Sequence, residues 1–357
     1  MIEKLVTGNR PTYNFLEPVD LMSAASGDPL FMELVATEAF QRMKAIRFLG
    51  GIDYLLVHSP NGAKGNIRYT RYQHSLGVAA LALSYCEAAV IPFEDSRLLY
   101  AAALLHDIGH APLSHSLEPV FKEVYGIAHH QTTEDIVTGR VPLGIEVYNA
   151  LHRNNVDIER LTAMIAGQES DFHGFFSGPI TFDTIEAIIR ARSYAQPDPK
   201  MLHPNSVLEA ALWRSSDRDR QVVDEFWSYK DQVYHHIINS RVGVLADFAC
   251  QTYMHSNLGA MNPDDYFTTE EKIFRKLPGL LDLLKSRSFE NELMEQVKSS
   301  ISYTERNFCI EQSADFFARD DKHRYRQSKK RRTLLSHVSD VGEPVGLLRD
   351  LFDEHGD

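Results

Sequence analysis

The amino-acid sequence predicts a mostly α protein, a multi-helix bundle with a small α or α+β extension at its C-terminal end. Three observations support this class. Apolar residues recur at the three- and four-residue spacing of a helix face through most of the chain up to about residue 257. Turn and capping residues bracket those runs at helix-like intervals. A single segment, "DYLLVHS" at 53–59, reads as a short strand.

The elements follow in order. "DPLFMELVATEAFQRMKAIRFLG" sets Phe31, Leu34, Val35, Ala39, Met43, Ile46 and Leu49 at helical spacing and ends on Gly50-Gly51, a C-cap signal. "PNGAKGNIRYTR" is a loop marked by Asn61, Gly62 and Gly65. "HSLGVAALALSYCEAAV" and "SRLLYAAALLHDIG" are two strongly apolar helices. Further helices are expected in "PLGIEVYNALHR", "IERLTAMIAG" and "TFDTIEAIIRARSY", and a pair or one long bent helix in residues 221–256. Beyond "GAMNPDDY" the composition becomes more charged. The expected division is a core domain over residues 1–257, with its motifs between about 30 and 195, and an extension over 258–357 that serves oligomerisation.

Hydrophobic residues make up 43% of the chain and charged residues 24%, as in ordinary globular proteins. The formal net charge of -12 argues against a general nucleic-acid-coating role, because phosphate binding needs a basic surface. A local basic patch stays open, and "KHRYRQSKKRR" near the C-terminus is read as a solvated face or a subunit contact. Cys86, Cys250 and Cys309 form no CxxC pair, which fits a reducing compartment and argues against a cysteine zinc site. The opening "MIEKLVTGNR" is too polar for a signal peptide, and no apolar run approaches the roughly 18 residues of a membrane span. A cytoplasmic protein without membrane contact is expected.

The chemistry concentrates in "ALLHDIGHAPLSHS", where His106 and Asp107 close an apolar helix. Neighbours in a helix project about 100° apart, so this pair can aim an imidazole nitrogen and a carboxylate oxygen at one point beside the helix end. Mixed nitrogen and oxygen donors suit a divalent ion such as Mn, Fe, Co, Ni, Zn or Mg, which then needs further ligands. His74 at the start of one apolar helix and Asp183 early in another can complete the set. Without such company, an isolated His-Asp pair would read as structural.

In this order the motifs resemble those of the HD-domain metal-dependent phosphohydrolases, and among them the deoxynucleoside triphosphate triphosphohydrolase branch. "FQRMKAIRFLG" is similar to that branch's FQRL-R-x-I-x-Q-L-G, "RYQHSLGVA" to R-[FY]-E-H-S-L-G, and "HDIGHAPLSH" to HDxGHxPFSH. "SGPITFDTIEAIIR" is similar to S-G-P-x-x-x-D-x-x-D-Y-x-x-R-D, and "YHHIINSRVGVLADF" to a later helix. The resemblance covers residues 30 to 257. It implies an HD-type fold, one divalent metal ion held by His74, His106, Asp107 and Asp183, and a phosphate contact from Arg71. It places His110, His115, Glu118 and His129 where the family keeps its phosphate-contacting and proton-transfer groups. Glu118 stands where Asp is usual, and His130 follows His129 where Glu is usual.

The departures cluster by role. The Gln that reads the sugar 3'-hydroxyl in the branch is Phe48 here, and the Tyr and Asp at the deoxyribose are Ala187 and Ala191, while Arg190 keeps the motif's Arg. Hydrogen-bonding sites discriminate far better than apolar pockets, so a different substrate or sugar pose is expected, with alanines that enlarge the pocket and Phe48 offering a stacking face. Lys64 and Arg68, in the lengthened loop before Arg71, are further candidates for phosphate contact. The expected activity is hydrolysis of a nucleotide phosphoester or phosphoanhydride, in the manner of a triphosphohydrolase with altered sugar recognition, by a homo-oligomer. The alternatives are a phosphomonoesterase, a cyclic-(di)nucleotide phosphodiesterase and a non-catalytic nucleotide sensor. GxxxxGK[ST] and GxSxG motifs are absent, and so is a convincing GxGxxG after a strand.

Overall fold

The computed structural model describes residues 27–54, 68–169, 178–194, 201–285, 301–317 and 324–334. In chain order these form α1 (Pro29–Ala36), α2 (Glu38–Arg42), α3 (Arg71–Ala89), α4 (Phe93–Leu105), α5 (Glu118–Tyr125), α6 (His129–Val137), α7 (Ile145–Arg153) and α8 (Ile158–Ile165). They continue with α9 (Phe182–Ser193), α10 (Pro204–Trp213), α11 (Asp217–Val233), α12 (Arg241–Ser256), α13 (Glu270–Lys276) and α14 (Leu280–Lys285), then strands β1 (Ile301–Ile310) and β2 (Tyr325–Leu334). Among the described residues the fold is mostly α, with one antiparallel two-stranded sheet in the C-terminal extension. No described helix is long and apolar enough to cross a membrane.

Three expectations are corrected. The stretch from Asp28 to Leu49 is not one helix: Thr37 caps a new one, its side chain accepting the Phe40 amide at 3.3 Å, so the chain breaks between α1 and α2. "DYLLVHS" is not seen as a strand, since Gly50–Tyr54 is a 3₁₀ turn and 55–59 lie outside the described residues. Of the two arrangements expected for residues 221–256, the pair of helices is the one present, separated by a π turn over Tyr234–Ile238 and a new cap at Ser240. In the basic run, Arg324 is buried rather than solvated, its guanidinium paired with Asp224 at 3.1 and 2.6 Å.

The described residues group into two units. The first takes in α1, α2, Thr70–His110 with α3 and α4, and His129–Ala187 with α6 to α8 and the start of α9. Its centre is the α3–α4 pair, where buried Ala79 and Ala82 on α3 and Ala101, Ala102 and Ala103 on α4 keep the surfaces small enough for close packing. The second unit takes in Ala45–Tyr69, Ala111–Ala128 and the chain from Ile188 onward. Its core gathers Leu117 and Phe121 of the α5 segment, Leu245 and Ala249 of α12, and Tyr266, Ile273 and Leu280.

Glu270, at the start of α13, is buried in this second unit. Its Oε1 accepts the amides of Arg47 at 2.7 Å and Leu113 at 3.1 Å, and its Oε2 meets the Tyr54 hydroxyl. Leu113 and the following Ser114 both hold positive φ, 58° and 46°, which bulky residues rarely adopt. Glu270 therefore anchors a strained turn to the end of the "FQRMKAIRFLG" segment. Burial pushes its carboxyl up to about 7 from an ordinary 4.5, against the pull of the Tyr54 hydroxyl and the two amides.

A carboxyl raised in the folded state leaves the native protein holding more protons than the unfolded chain between pH 4.5 and 7, so stability falls as pH rises through that window. The loss is on the order of 3 kcal/mol. Both tryptophans, Trp213 and Trp227, lie in the second unit, so their fluorescence during denaturant unfolding reports it. The midpoint should drop between about pH 5 and pH 7.5 in the native chain. Glu270→Gln, which keeps Oε1 as acceptor, should remove most of that drop; an unaltered drop would mean that the carboxyl is ionised in the fold.

Candidate metal centre

Three helix termini meet in the first unit. Thr70 caps α3 with a reciprocal Thr70–Gln73 capping box, which fixes the first turn and sets His74 within it, fully buried. α4 ends at Leu105 and the chain leaves it in tight turns, Ile108 N to Leu105 O at 3.1 Å and His110 N to Asp107 O at 3.1 Å. That exit presents His106 and Asp107 sideways. The first turn of α9 carries Asp183, and Glu186 follows about one turn later.

The donor atoms converge. His74 Nε2 and His106 Nε2 lie 3.3 Å apart. Asp107 oxygens lie 3.4 Å from His74 Nε2 and 3.5 Å from His106 Nε2, and Asp183 Oδ1 lies 3.1 Å and 3.8 Å from the same two nitrogens. Four donors bound tetrahedrally to one ion at about 2.1 Å would stand about 3.4 Å from one another. The spacing fits one divalent ion. Burial works against a charged His74 imidazole, yet Glu186, Asp183 and Asp107 push it up to about 9. The centre thus attracts positive charge, as a cation site must.

The shell behind these atoms sets their orientation. Glu186 takes the His74 Nδ1 side and the Ala103 carbonyl accepts from His106 Nδ1 at 2.8 Å, which leaves both Nε2 atoms facing the centre. Gly77, one turn after His74, makes room: a Cβ there would collide with the Glu186 carboxylate. Arg42, buried, donates to the carbonyls of Ile108 at 3.1 Å and His110 at 2.8 Å and so braces the turn after Asp107. Thr133 Oγ1 accepts the Gly109 amide at 3.1 Å and donates to the His106 carbonyl at 3.3 Å. Gly109 is required where it stands, because a Cβ would strike the backbone of α6. Arg71 is buried and bonds Asp107 at 2.6 Å. His110 Nε2 lies 3.3 Å from Asp107 Oδ1, and its ring stacks on His129 at 4.5 Å and 8°.

The other candidates belong to the second unit. His115 and Glu118 pair at 3.1 Å, with the imidazole largely exposed at 62%. Phe48 is buried, its amide bonded to the Tyr69 carbonyl at 3.1 Å, and Arg190 lies over the Tyr69 ring at 4.6 Å. Arg68 sits 5.8 Å above the Tyr54 ring. Lys64 lies outside the described residues. Sequence reasoning missed Glu186, Arg42 and Thr133. The signal for Glu186 was an acid one turn after Asp183, where the resembled motif has its second Asp.

The HD domain family profile matches residues 71–194, a span that contains all four converging residues. Residues 71–194 are similar to an HD domain. HD domains bind a divalent metal and are metal-dependent phosphohydrolase domains. The chain is 38% identical over 117 residues to the uncharacterized protein YwfO of Bacillus subtilis, covering 31% of this chain and 24% of YwfO. It is 34% and 37% identical over 100 residues to deoxynucleoside triphosphate triphosphohydrolase SAMHD1 of Xenopus laevis and Bos taurus, covering 26% of this chain and 15% and 16% of those proteins. The chain thus matches a quarter or less of the length of these relatives. In structure it is similar to a hypothetical protein from Aquifex aeolicus, with a TM-score of 0.55, 18% identity and 77% of each chain covered; this likeness concerns the fold alone.

Loss of an outer carboxylate of this kind costs about 10- to 100-fold in metal affinity. Glu186→Gln should therefore weaken Mn²⁺ binding, read by titration calorimetry, by that factor. Gly77→Ala, which displaces Glu186 without changing any donor, should reproduce the loss. Native affinity in both variants would remove Glu186 from the HD centre.

Proposed function

We propose that this chain hydrolyses a nucleotide phosphoester or phosphoanhydride, as a triphosphohydrolase-like enzyme whose sugar recognition is altered. The observation that carries the reading is the convergence of His74, His106, Asp107 and Asp183 on one point, with Arg71 bound to the same Asp107. These four residues would hold the ion. When bound, a divalent ion stabilises charge growing on a phosphoryl oxygen and lowers the pKa of bound water.

The chain's own groups supply the rest. The Arg71 guanidinium, steadied by Asp107, suits a phosphate oxygen because its planar fork presents paired donors. His110, oriented by Asp107 and by its stack on His129, is placed to hold a proton beside the centre. His115 and Glu118 are assigned as a second proton-transfer pair, consistent with their 3.1 Å contact and the accessible imidazole. Lys64, Arg68 and Arg190 are assigned to substrate phosphates. Phe48, Ala187 and Ala191 offer no side-chain hydrogen bond to a sugar hydroxyl, so deoxyribose should be read weakly. The similarity to SAMHD1 over 100 residues supports a triphosphohydrolase-type reaction. The same reading makes the protein a cytoplasmic homo-oligomer, in keeping with three cysteines that form no CxxC pair.

The test is phosphorus NMR of products from deoxy- and ribonucleoside tri-, di- and monophosphates incubated with Mn²⁺. Intact triphosphate should be released, chelation should abolish it, and the His106→Ala, Asp107→Ala variant should be inactive. Discrimination between a 2'-deoxy- and a 2',3'-dideoxynucleoside triphosphate, which differ in the 3'-hydroxyl, should stay below roughly 100-fold in kcat/KM, far from the 10⁴ or more of a hydroxyl-reading site. Orthophosphate as the first product would replace this reading with a phosphomonoesterase. Tight nucleotide binding without turnover would make the protein a sensor.

A further inference from the structure

The C-terminal ribbon departs from ordinary sheet chemistry. β2, "YRQSKKRRTL", carries Arg326, Lys329, Lys330, Arg331 and Arg332 in a chain of net charge -12, and its side chains are exposed on both faces along Arg326–Thr333. Paired residues of an antiparallel ladder share a face, so the register sorts these charges. On one face Lys330 lies opposite Glu305, and Arg332 bonds the same Glu305 at 2.8 Å. The other face has no such offset. There Arg306 lies directly opposite Lys329, and Arg331 follows opposite Thr304.

Like charges directly opposite each other destabilise a sheet. Arg306 meets a neutral partner, the Tyr234 hydroxyl at 3.2 Å, and among the described residues no carboxylate pairs with Arg306, Lys329 or Arg331. The rest of this exposed area is the hydroxyls of Ser302, Thr304 and Thr333 and the neutral amide of Gln327. Cations on an edge strand guard against aggregation, but that purpose does not require a second cation across the ladder. Three cations and three hydroxyls without an acid form an inventory for phosphate oxygens.

We propose that this face of the ribbon, Arg306, Lys329 and Arg331 with Ser302, Thr304 and Thr333, binds the phosphate backbone of a single-stranded nucleic acid. Lys329 and Arg331 stand about 7 Å apart along the strand, and Arg306 about 5 Å across it. That patch is of the size to reach two or three successive phosphates of one strand, and the choice of a single strand rests on the aromatic surface beside it. The π turn beside it supplies Tyr234, whose ring lies 5.7 Å from the Arg306 guanidinium, an aromatic surface of the kind that accompanies cations in single-strand sites. The site is separate from the HD centre and does not depend on the proposed hydrolase reading.

The test is fluorescence anisotropy of the full chain with a short labelled oligothymidylate across a salt series. Three cations predict a slope near -2 for the logarithm of the binding constant against the logarithm of salt, at about -0.7 for each phosphate contact on a single strand. The variant Arg306→Gln, Lys329→Gln, Arg331→Gln should weaken binding at low salt at least tenfold and flatten the slope by about 2. Lys330→Gln, Arg332→Gln on the opposite face should keep both close to native. The triple variant should melt at or above the native temperature, since it removes a repulsion. Native-like binding by the triple variant, no binding by the native chain, or a duplex bound as tightly as the single strand would each overturn the proposal. So would equal competition by free tripolyphosphate at matched phosphate, which would mark a small-anion site. A change in oligomeric mass in the triple variant, with no oligonucleotide bound by the native chain, would reassign the face to a second copy.

Discussion

The first unit is organised around two imidazole nitrogens, His74 Nε2 and His106 Nε2, held 3.3 Å apart. Two such atoms share a space of that size stably only with a cation or a proton between them. Each is forced there by what holds its other ring nitrogen, Glu186 for His74 and the Ala103 carbonyl for His106. Those anchors in turn explain backbone choices that carry no chemistry themselves. Gly77 exists so that Glu186 can reach across α3, and Gly109 so that the turn after Asp107 can lie against α6. The Thr70 capping box starts α3 where His74 falls in its first turn.

Two buried glutamates show how surroundings assign different tasks to one side chain. Glu186 meets an imidazole and draws positive charge toward the centre, which raises His74 to about 9. Glu270 meets two amides and a phenol, none of which brings a positive charge, and burial drives it toward its neutral form, up to about 7. The first acid organises a binding centre. The second works as a hydrogen-bonding clamp, joining the Arg47 amide to the Leu113 turn, and its own protonation becomes part of the unit's stability.

The mostly α class, the α3 and α4 helices and the four converging residues were legible in the sequence because each rests on local pattern: helical periodicity, a capping residue, an adjacent His-Asp pair. What escaped was set by contacts between distant residues. Arg42 reads as an ordinary surface arginine until the turn at Ile108–His110 is placed against it. Glu270 lies in a charged stretch with no visible motif, and its value comes from amides 223 and 157 residues away in the chain. The break at Thr37 was hidden because apolar spacing continues through it, while a threonine side chain took the amide that a continuing helix would have used. An α or α+β extension was expected, but its strands were not placed; β2 in particular is a lysine- and arginine-rich run without alternation of apolar and polar residues, and its pairing is visible only in the register.

The same distinction bears on substrate choice. The residues that converge on the HD centre all lie in the first unit, whereas Phe48 and Ala191, two of the positions where the chain departs from the resembled motifs, are buried in the second. A polar side chain buried at either position would require a hydrogen-bond partner to offset its desolvation. Phe48 and Ala191 carry no such demand. Beside them in the chain, Tyr69, Arg190 and Ser193 pack together, with the Ser193 hydroxyl bonded to Tyr69 at 3.0 Å and the Arg190 guanidinium over the same ring. On the proposed reading, the departures at Phe48 and Ala191 remove sugar-reading hydrogen bonds from packed positions. That reading leaves the chemistry of the phosphates to the HD centre and gives up a constraint on the sugar.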